Sequence, residues 1–235
     1  MGRSIFQFKQ FAIEQDRCAM KVTTDSCLFG AWTTHQLKRP KKILDIGAGT
    51  GLLSLMIAQE TDASLDAVEI ESSCYHQLKE NIGRSPFSER INTFHQDINH
   101  HNQHGYDVII SNPPFHQDQL TSDDKRINYA RHEEGLSLEQ LFQIASNLIN
   151  GSGPLFILLP FYRKKNCLEL ALSMGWFPLK TANVSHSRKH TPFRAMFMFS
   201  KEEKQCCEEE IFIHDEGEQY TETFSQLLQP YYLYL

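Results

Sequence analysis

The sequence predicts an α/β fold: a doubly wound, mostly parallel sheet of seven strands with helices on both faces and an antiparallel edge hairpin. Three observations predict it. Short apolar, β-branched runs alternate with helix-like stretches between residues 42 and 175, a glycine-rich turn joins the first run to the first helix, and beyond Gly175 two further runs follow with only a polar loop between them. Alternation of this kind requires crossover helices and a parallel sheet, whereas two runs without a helix between them pair antiparallel.

The strands are expected at 42–46, 65–70, 91–94, 107–111 and 154–159, and the crossover helices at 52–59, 73–82, 138–149 and 164–174. The runs at 178–184 and 195–199, joined by the polar loop 185–194, form the hairpin. Residues 1–40 form an N-terminal appendage in which Phe6-Gln-Phe-Lys-Gln-Phe alternates as a strand and 26–33 is a helix, 41–200 form the main domain, and 201–235 form an acidic extension packing on it. The extension begins as a solvated turn at 201–204, and its tyrosines Tyr231, Tyr232 and Tyr234 are expected to dock back on the domain.

At 235 residues, 40% hydrophobic and 22% charged, the chain is neither disordered nor fibrous, and its longest apolar runs fall far short of a membrane span. The N-terminus lacks the apolar stretch of a secretory signal, so a cytoplasmic location is expected. Six cysteines without a Cys-x-x-Cys pair read as reduced thiols. The cluster His95, His100, His101 and His104 reads as a solvated loop, and no metal is expected. Nine acidic and two basic side chains lie in 201–235, so the negative charge is local and does not exclude a polyanionic partner.

The first strand ends in Asp45-Ile-Gly47-Ala-Gly49-Thr-Gly51, opening directly into a helix. Glycines there permit positive φ and close approach of a ligand to the backbone, and the helix start adds unpaired N–H groups. A dinucleotide fingerprint would place its last small residue at position 52, where this chain has leucine. The loop instead resembles the binding turn of class I S-adenosylmethionine-dependent methyltransferases, a Rossmann-like fold. That resemblance implies that Glu69, closing the second strand, takes the ribose hydroxyls, and that Asp97 and Ile98 contact the adenine ring. Taken singly, Glu69 reads equally as a solvated strand end and Asp97 as a helix cap.

The fourth strand ends in Asn112-Pro113-Pro114-Phe115. Prolines supply no N–H, so the Pro113 carbonyl is not claimed by a tight local amide, and Asn112 adds a second acceptor through its carboxamide. Two fixed acceptors orient a planar NH₂ group. This tetrapeptide resembles the one that methyltransferases of exocyclic or amide nitrogens carry, with Phe115 placed to stack on a planar substrate. It leaves RNA adenine, guanine N2 and protein glutamine open as targets.

Wider stretches decide among them. Asp16-Arg-Cys-Ala-Met-Lys-Val-x-Thr-Asp25, Gly30-Ala-Trp32, Asp66-Ala-Val-Glu69, Arg90-Ile-Asn92, Leu170-Ala-Leu-Ser-Met-Gly-Trp176 and the terminal Tyr-Leu-x-Leu resemble the bacterial tRNA (adenine-N6)-methyltransferase family that modifies adenine 37 of a valine tRNA. The resemblance implies S-adenosylmethionine held by Asp45, Gly47, Gly49, Gly51, Glu69, Asp97, Ile98 and Asn112, with Lys21 and Thr24 capping the pocket. It implies Asn112, Pro113 and Phe115 at the base, and the anticodon loop of tRNA as partner, with no obligate protein partner. Arg188, Lys189 and Arg194 in the hairpin loop and Arg163 and Lys164 after the fifth strand are the candidate phosphate contacts. An rRNA guanine-N2 methyltransferase usually carries a further, duplicated domain, and a protein glutamine methyltransferase a helical partner-binding domain; neither has room here. A noncatalytic RNA-binding relic of the fold is disfavoured by the intact loop and tetrapeptide.

Overall fold

Residues 4–18, 20–113 and 136–235 are described by a computed structural model. Five runs become its parallel strands, four of them apolar because burial on both faces demands it, and the fifth at the open edge of the sheet with only its first residue, Ile91, buried. They are β3 (Lys42–Ile46), β4 (Ser64–Glu69), β5 (Ile91–His95), β6 (Val108–Ser111) and β7 (Leu155–Pro160). Alternate residues feed opposite layers: Ile43, Ile110 and Phe156 enter one core, and Leu44, Ile109, Leu155 and Ile157 the other.

The strands that follow are β8 (Phe177–Ser185), β9 (Arg194–Ser200) and β10 (Cys207–Phe212), and the sheet order is β10-β8-β9-β7-β6-β3-β4-β5. The expected class I arrangement is therefore present with eight strands rather than seven. The antiparallel pair β8–β9 does not close the edge. Part of the acidic extension, Cys207 to Phe212, adds in parallel to β8 and takes the edge position itself.

Helices α2 (Leu52–Glu60), α3 (Ser72–Arg84), α4 (Leu138–Leu148) and α5 (Lys164–Ser173) connect the strands. Helix α1 (Thr24–Gln36) is buried from Ser26 to Thr33, lying between α2 and α6 (Glu222–Leu228). Gly30 permits this approach, since a Cβ there would stand 2.6 Å from the Met56 sulfur.

At the N-terminus the alternating aromatic run is not one strand. It divides into β1 (Ile5–Gln7) and β2 (Ala12–Glu14), an antiparallel pair whose turn is closed by the Phe8 amide donating to Phe11 O at 2.9 Å. This hairpin rests on the other end of the chain: Phe8 bridges to Tyr232, and the Lys9 amide donates to Tyr231 O. Tyr231 is buried and bonded to Thr34, whereas Tyr234 is 90% exposed and does not dock. No helix among the described residues is long and apolar enough to cross a membrane.

Candidate active site

Ile46 of β3 stands opposite Ser111 of β6 in parallel register, so Gly47 and Asn112 leave adjacent strands at the same level, about 4.8 Å apart by ordinary strand spacing. The Ser111 hydroxyl fastens the two strand ends by donating to Ile46 O at 2.8 Å. On the other side of β3 lie β4 and β5, whose ends carry Glu69 and the Gln96-Asp97-Ile98 segment. The predicted glycine loop, Glu69, Asp97 and Asn112 are thus gathered along one edge of the sheet.

The loop from Gly47 to Gly51 takes its shape from three positive-φ glycines, at 72°, 57° and 86°. A Cβ at Gly51 would stand 2.8 Å from Leu78, while one at Gly47 or Gly49 would meet nothing within 4 Å. There is open space above the first two glycines and packed protein behind the third. Amides of Gly47 and Ala48 donate to Val68 O, and the Gly49 amide donates to Glu69 Oε2 at 2.8 Å. The other Glu69 oxygen accepts from the Glu71 amide. Each oxygen keeps a second lone pair for a further donor.

Asp45 beneath the loop is fully buried, with Oδ2 accepting from Ser54 Oγ at 2.6 Å and Oδ1 without a hydrogen-bond partner. Burial pushes its carboxyl up to about 7, against the opposing pull of the Ser54 hydrogen bond and with help from the nearby Glu69 charge. Asp97 caps a short 3₁₀ turn, its Oδ1 accepting from the Asn99 amide at 2.8 Å, with Ile98 buried behind it.

Asn112 is half-buried and donates through Nδ2 to Ser26 Oγ at 3.2 Å; Pro113 is buried directly after it. Phe115 lies outside the described residues. Lys21 and Thr24 are exposed just before and at the start of α1, whose first turn reaches Asn112. Among the candidate RNA contacts, Arg163 and Lys164 follow β7, Arg194 opens β9, and Arg188 and Lys189 occupy the β8–β9 loop, all at the same sheet edge. Two of these are engaged elsewhere: Lys164 pairs with Glu208 and Asn183, and Arg194 Nε donates to Asp25 at 2.6 Å. Arg188 lies 4.9 Å from the Phe212 ring centroid, and Lys189 borders a groove with His186, His190, Asp215, Glu216 and Glu218.

Sequence reasoning missed three contributors. Asn81 of α3 braces the glycine loop by donating to Thr50 O, Ile70 stands 63% exposed beside Glu69, and Ser26 approaches from α1, next to Asp25 at the end of the motif already singled out. Only Ile70 carried a signal, as an apolar residue following the strand-end carboxylate. The histidine cluster also needs correction at one member. His95, His100 and His104 are exposed, but His101 is 6% exposed and bonded to the Tyr106 hydroxyl at 2.6 Å. Among the described residues no group of three or more His, Cys, Asp or Glu is placed to hold a metal ion.

Comparison with known proteins shows the family and the fold. Residues 28–159 match the family described as methyltransferase small domain. A protein of Christiangramia forsetii named tRNA1(Val) (adenine(37)-N6)-methyltransferase is 38% identical, with 100% of each chain covered. One of the same name from Escherichia coli is 39% identical over 100% of this chain and 97% of its own length. A predicted O-methyltransferase from Agrobacterium tumefaciens superposes with a TM-score of 0.69 at 16% identity, covering 88% of this chain and 96% of that one. TYW2 of Pyrococcus horikoshii, solved in complex with MeSAdo, gives 0.61 at 13% identity, covering 85% and 72%.

Proposed function

Since the chain belongs to the family of the tRNA1(Val) (adenine(37)-N6)-methyltransferases, we propose that it transfers a methyl group from S-adenosylmethionine to N6 of adenine 37, beside the anticodon of a valine tRNA. The observation that carries the site assignment is the register of β3 and β6, which sets Asn112-Pro113 beside the glycine loop. A tRNA substrate makes the cytoplasm its place of action.

The residues present fit the methyl donor. Open space stands over Gly47 and Gly49, where a ligand can lie against the backbone, while the buried Asp45 lies beneath the loop and braces it through Ser54. When bound, S-adenosylmethionine supplies an electrophilic sulfonium methyl. In this reading Gly47, Gly49 and Gly51 let the backbone pass close beneath it, Glu69 accepts from its ribose hydroxyls, and Asp97 with Ile98 and Ile70 takes its adenine ring. Thr24 at the start of α1 and Lys21 just before it close the pocket.

An adenine amine is a poor nucleophile because its lone pair is delocalised into the ring. Asn112 Oδ1 and the Pro113 carbonyl accept its two hydrogens, which favours a pyramidal nitrogen with its lone pair aimed at the methyl carbon. No strong base is required: the methylated amine is cationic and loses its proton to water. Proximity and preorganised dipoles lower the barrier. The family resemblance gives stacking on the base to Phe115, which lies outside the described residues; such a contact is worth about 1–3 kcal/mol. An anticodon loop is already single-stranded, so presenting its adenine costs less than extracting one from a duplex.

Methyl transfer from labelled S-adenosylmethionine into unmodified total tRNA, rRNA and a protein extract tests the proposal. The expected product is N6-methyladenosine in a valine tRNA. Label recovered as N2-methylguanosine or methylglutamine would refute it.

A further inference from the structure

A carboxamide is nearly symmetric in shape and opposite in polarity at its two ends. If Asn112 is to accept from an amine, its oxygen must face the substrate, because the reversed group would point a second NH₂ at the first. Something must therefore hold the nitrogen end. Ser26 Oγ receives Asn112 Nδ2 at 3.2 Å from a side chain that is itself 9% exposed. Thr23 caps α1 by accepting from the Ser26 amide at 3.4 Å, and its Oγ1 lies 2.8 Å from Ser26 Oγ. Either hydroxyl of this pair can donate to the other, and with the Asn112 nitrogen donating to Ser26, the arrangement that satisfies all three groups sends the Ser26 proton to Thr23. The turn that carries these residues is anchored separately, through the Asp25 carboxylate and Arg194 at the start of β9.

We infer that the first turn of α1 is a positioning element for methyl transfer: Ser26 fixes which end of the Asn112 carboxamide meets the target amine, and the Asp25–Arg194 pair holds that turn against the sheet. Ser26 acts through Asn112 and touches neither substrate. The inference rests on the reading of Asn112 as an acceptor, and its test must separate the two.

The test measures kcat for tRNA methylation at saturating methyl donor, together with donor affinity and thermal midpoint, in the full chain. Ser26→Ala is expected to lower kcat about tenfold with donor affinity unchanged, short of the roughly 10²–10³-fold loss that removing a preorganised polar group altogether produces. Asp25→Asn should lower kcat as well, and donor affinity with it, because the turn it anchors also carries Thr24. Ser26→Thr, which keeps a hydroxyl, should recover most of the rate. In an Asn112→Asp background the two oxygens are equivalent, so Ser26→Ala should cost less than about threefold, because the two positions are coupled.

A Ser26→Ala enzyme with kcat within about twofold of the parent would overturn the inference, as would equal losses in the parent and Asn112→Asp backgrounds. So would a loss seen only in donor affinity, or one that Ser26→Thr does not relieve. Should Asn112→Asp be inactive, the Ser26→Thr comparison decides. An Asn112→Ala enzyme that remains active refutes the acceptor reading itself, whereas an inactive Asn112→Ala beside a fully active Ser26→Ala refutes only the positioning role.

Discussion

Asp45 is the residue at which burial and chemistry conflict most directly. A carboxylate with no exposed surface and one unpartnered oxygen is costly to ionise, and its proton is held up to about 7, mainly by burial. Between the ordinary carboxyl range, about 4, and that value, the folded protein keeps a proton that the unfolded chain has released. Stability from this group is therefore complete below the unfolded value and is lost as pH rises toward 7. Urea unfolding of the parent and of Asp45→Asn, compared from pH 4.5 to 8, is expected to show the parent losing stability relative to the variant across that window. A parallel pair of profiles would mean that Asp45 is ionised in the folded protein throughout. The sequence marked Asp45 through its place before the glycines. Its unsatisfied oxygen and the Ser54 contact, nine residues on, became visible only once α2 was laid over β3.

Elements differ in how openly the sequence announces them. Four of the parallel strands were legible because apolar residues buried on both faces leave no other place for such runs, and the edge strand β5 through its place in the alternation. The acidic edge strand was not, because Cys-Glu-Glu-Glu-Ile-Phe reads as a solvated segment. It is ordered by its backbone pairing with β8 and by Ile211 in the core, and its carboxylates find partners there: Glu208 meets Lys164 and Asn183, and Glu209 meets Trp32 Nε1 and Lys180. Carboxylates along an exposed edge also discourage pairing with other chains. A second hidden arrangement supports the turn after β5. Tyr106 donates to Asp66 at 2.6 Å, His101 Nε2 lies 2.6 Å from that hydroxyl, and Gln96 Nε2 lies 2.8 Å from His101 Nδ1. Burial holds the imidazole below its usual range, which favours the neutral ring, with Nε2 donating to Tyr106 and Nδ1 accepting from Gln96. The chain leads directly into Asp97. Tyr106→Phe removes a shared hydroxyl, leaving His101 Nε2 without its acceptor and Asp66 with Asn92 and Lys42 alone, so a loss of about 1–3 kcal/mol is expected in denaturant unfolding. Weaker affinity for the methyl donor should accompany it. A variant less stable but unaltered in donor binding would confine the network to a structural role.

Across the whole molecule, the balance of charge is decided by where each side chain is engaged. The acidic extension carries nine of the chain's carboxylates, yet Glu208 and Glu209 are spent on lysines beside the sheet and do not set a uniform negative field. Pairing removes Lys164 and Arg194 from the set of free cations in the same way. Of the five candidate contacts, Arg163 after β7 and Arg188 with Lys189 after β8 make no ion pair with a carboxylate of the described residues. Strand order puts β9 and β7 between β8 and β6, so the loop carrying Arg188 and Lys189 lies about 14 Å along the edge from Asn112 at ordinary strand spacing. That separation suits phosphates flanking an adenine already in the site better than the adenine itself. Carboxylates of Asp215, Glu216 and Glu218 share the groove with Lys189 and limit how strongly it attracts RNA. Reversing Arg188 and Lys189 to glutamate is expected to weaken tRNA binding at every salt concentration. If each contacts one phosphate of a single-stranded loop, the slope of log affinity against log salt should flatten by about 1.4. The rate at saturating tRNA should be little changed, because neither side chain approaches the reacting atoms. An unaltered slope would transfer the phosphate-binding role to Arg163 and its exposed neighbour Lys165, on the side of the site nearer Asn112.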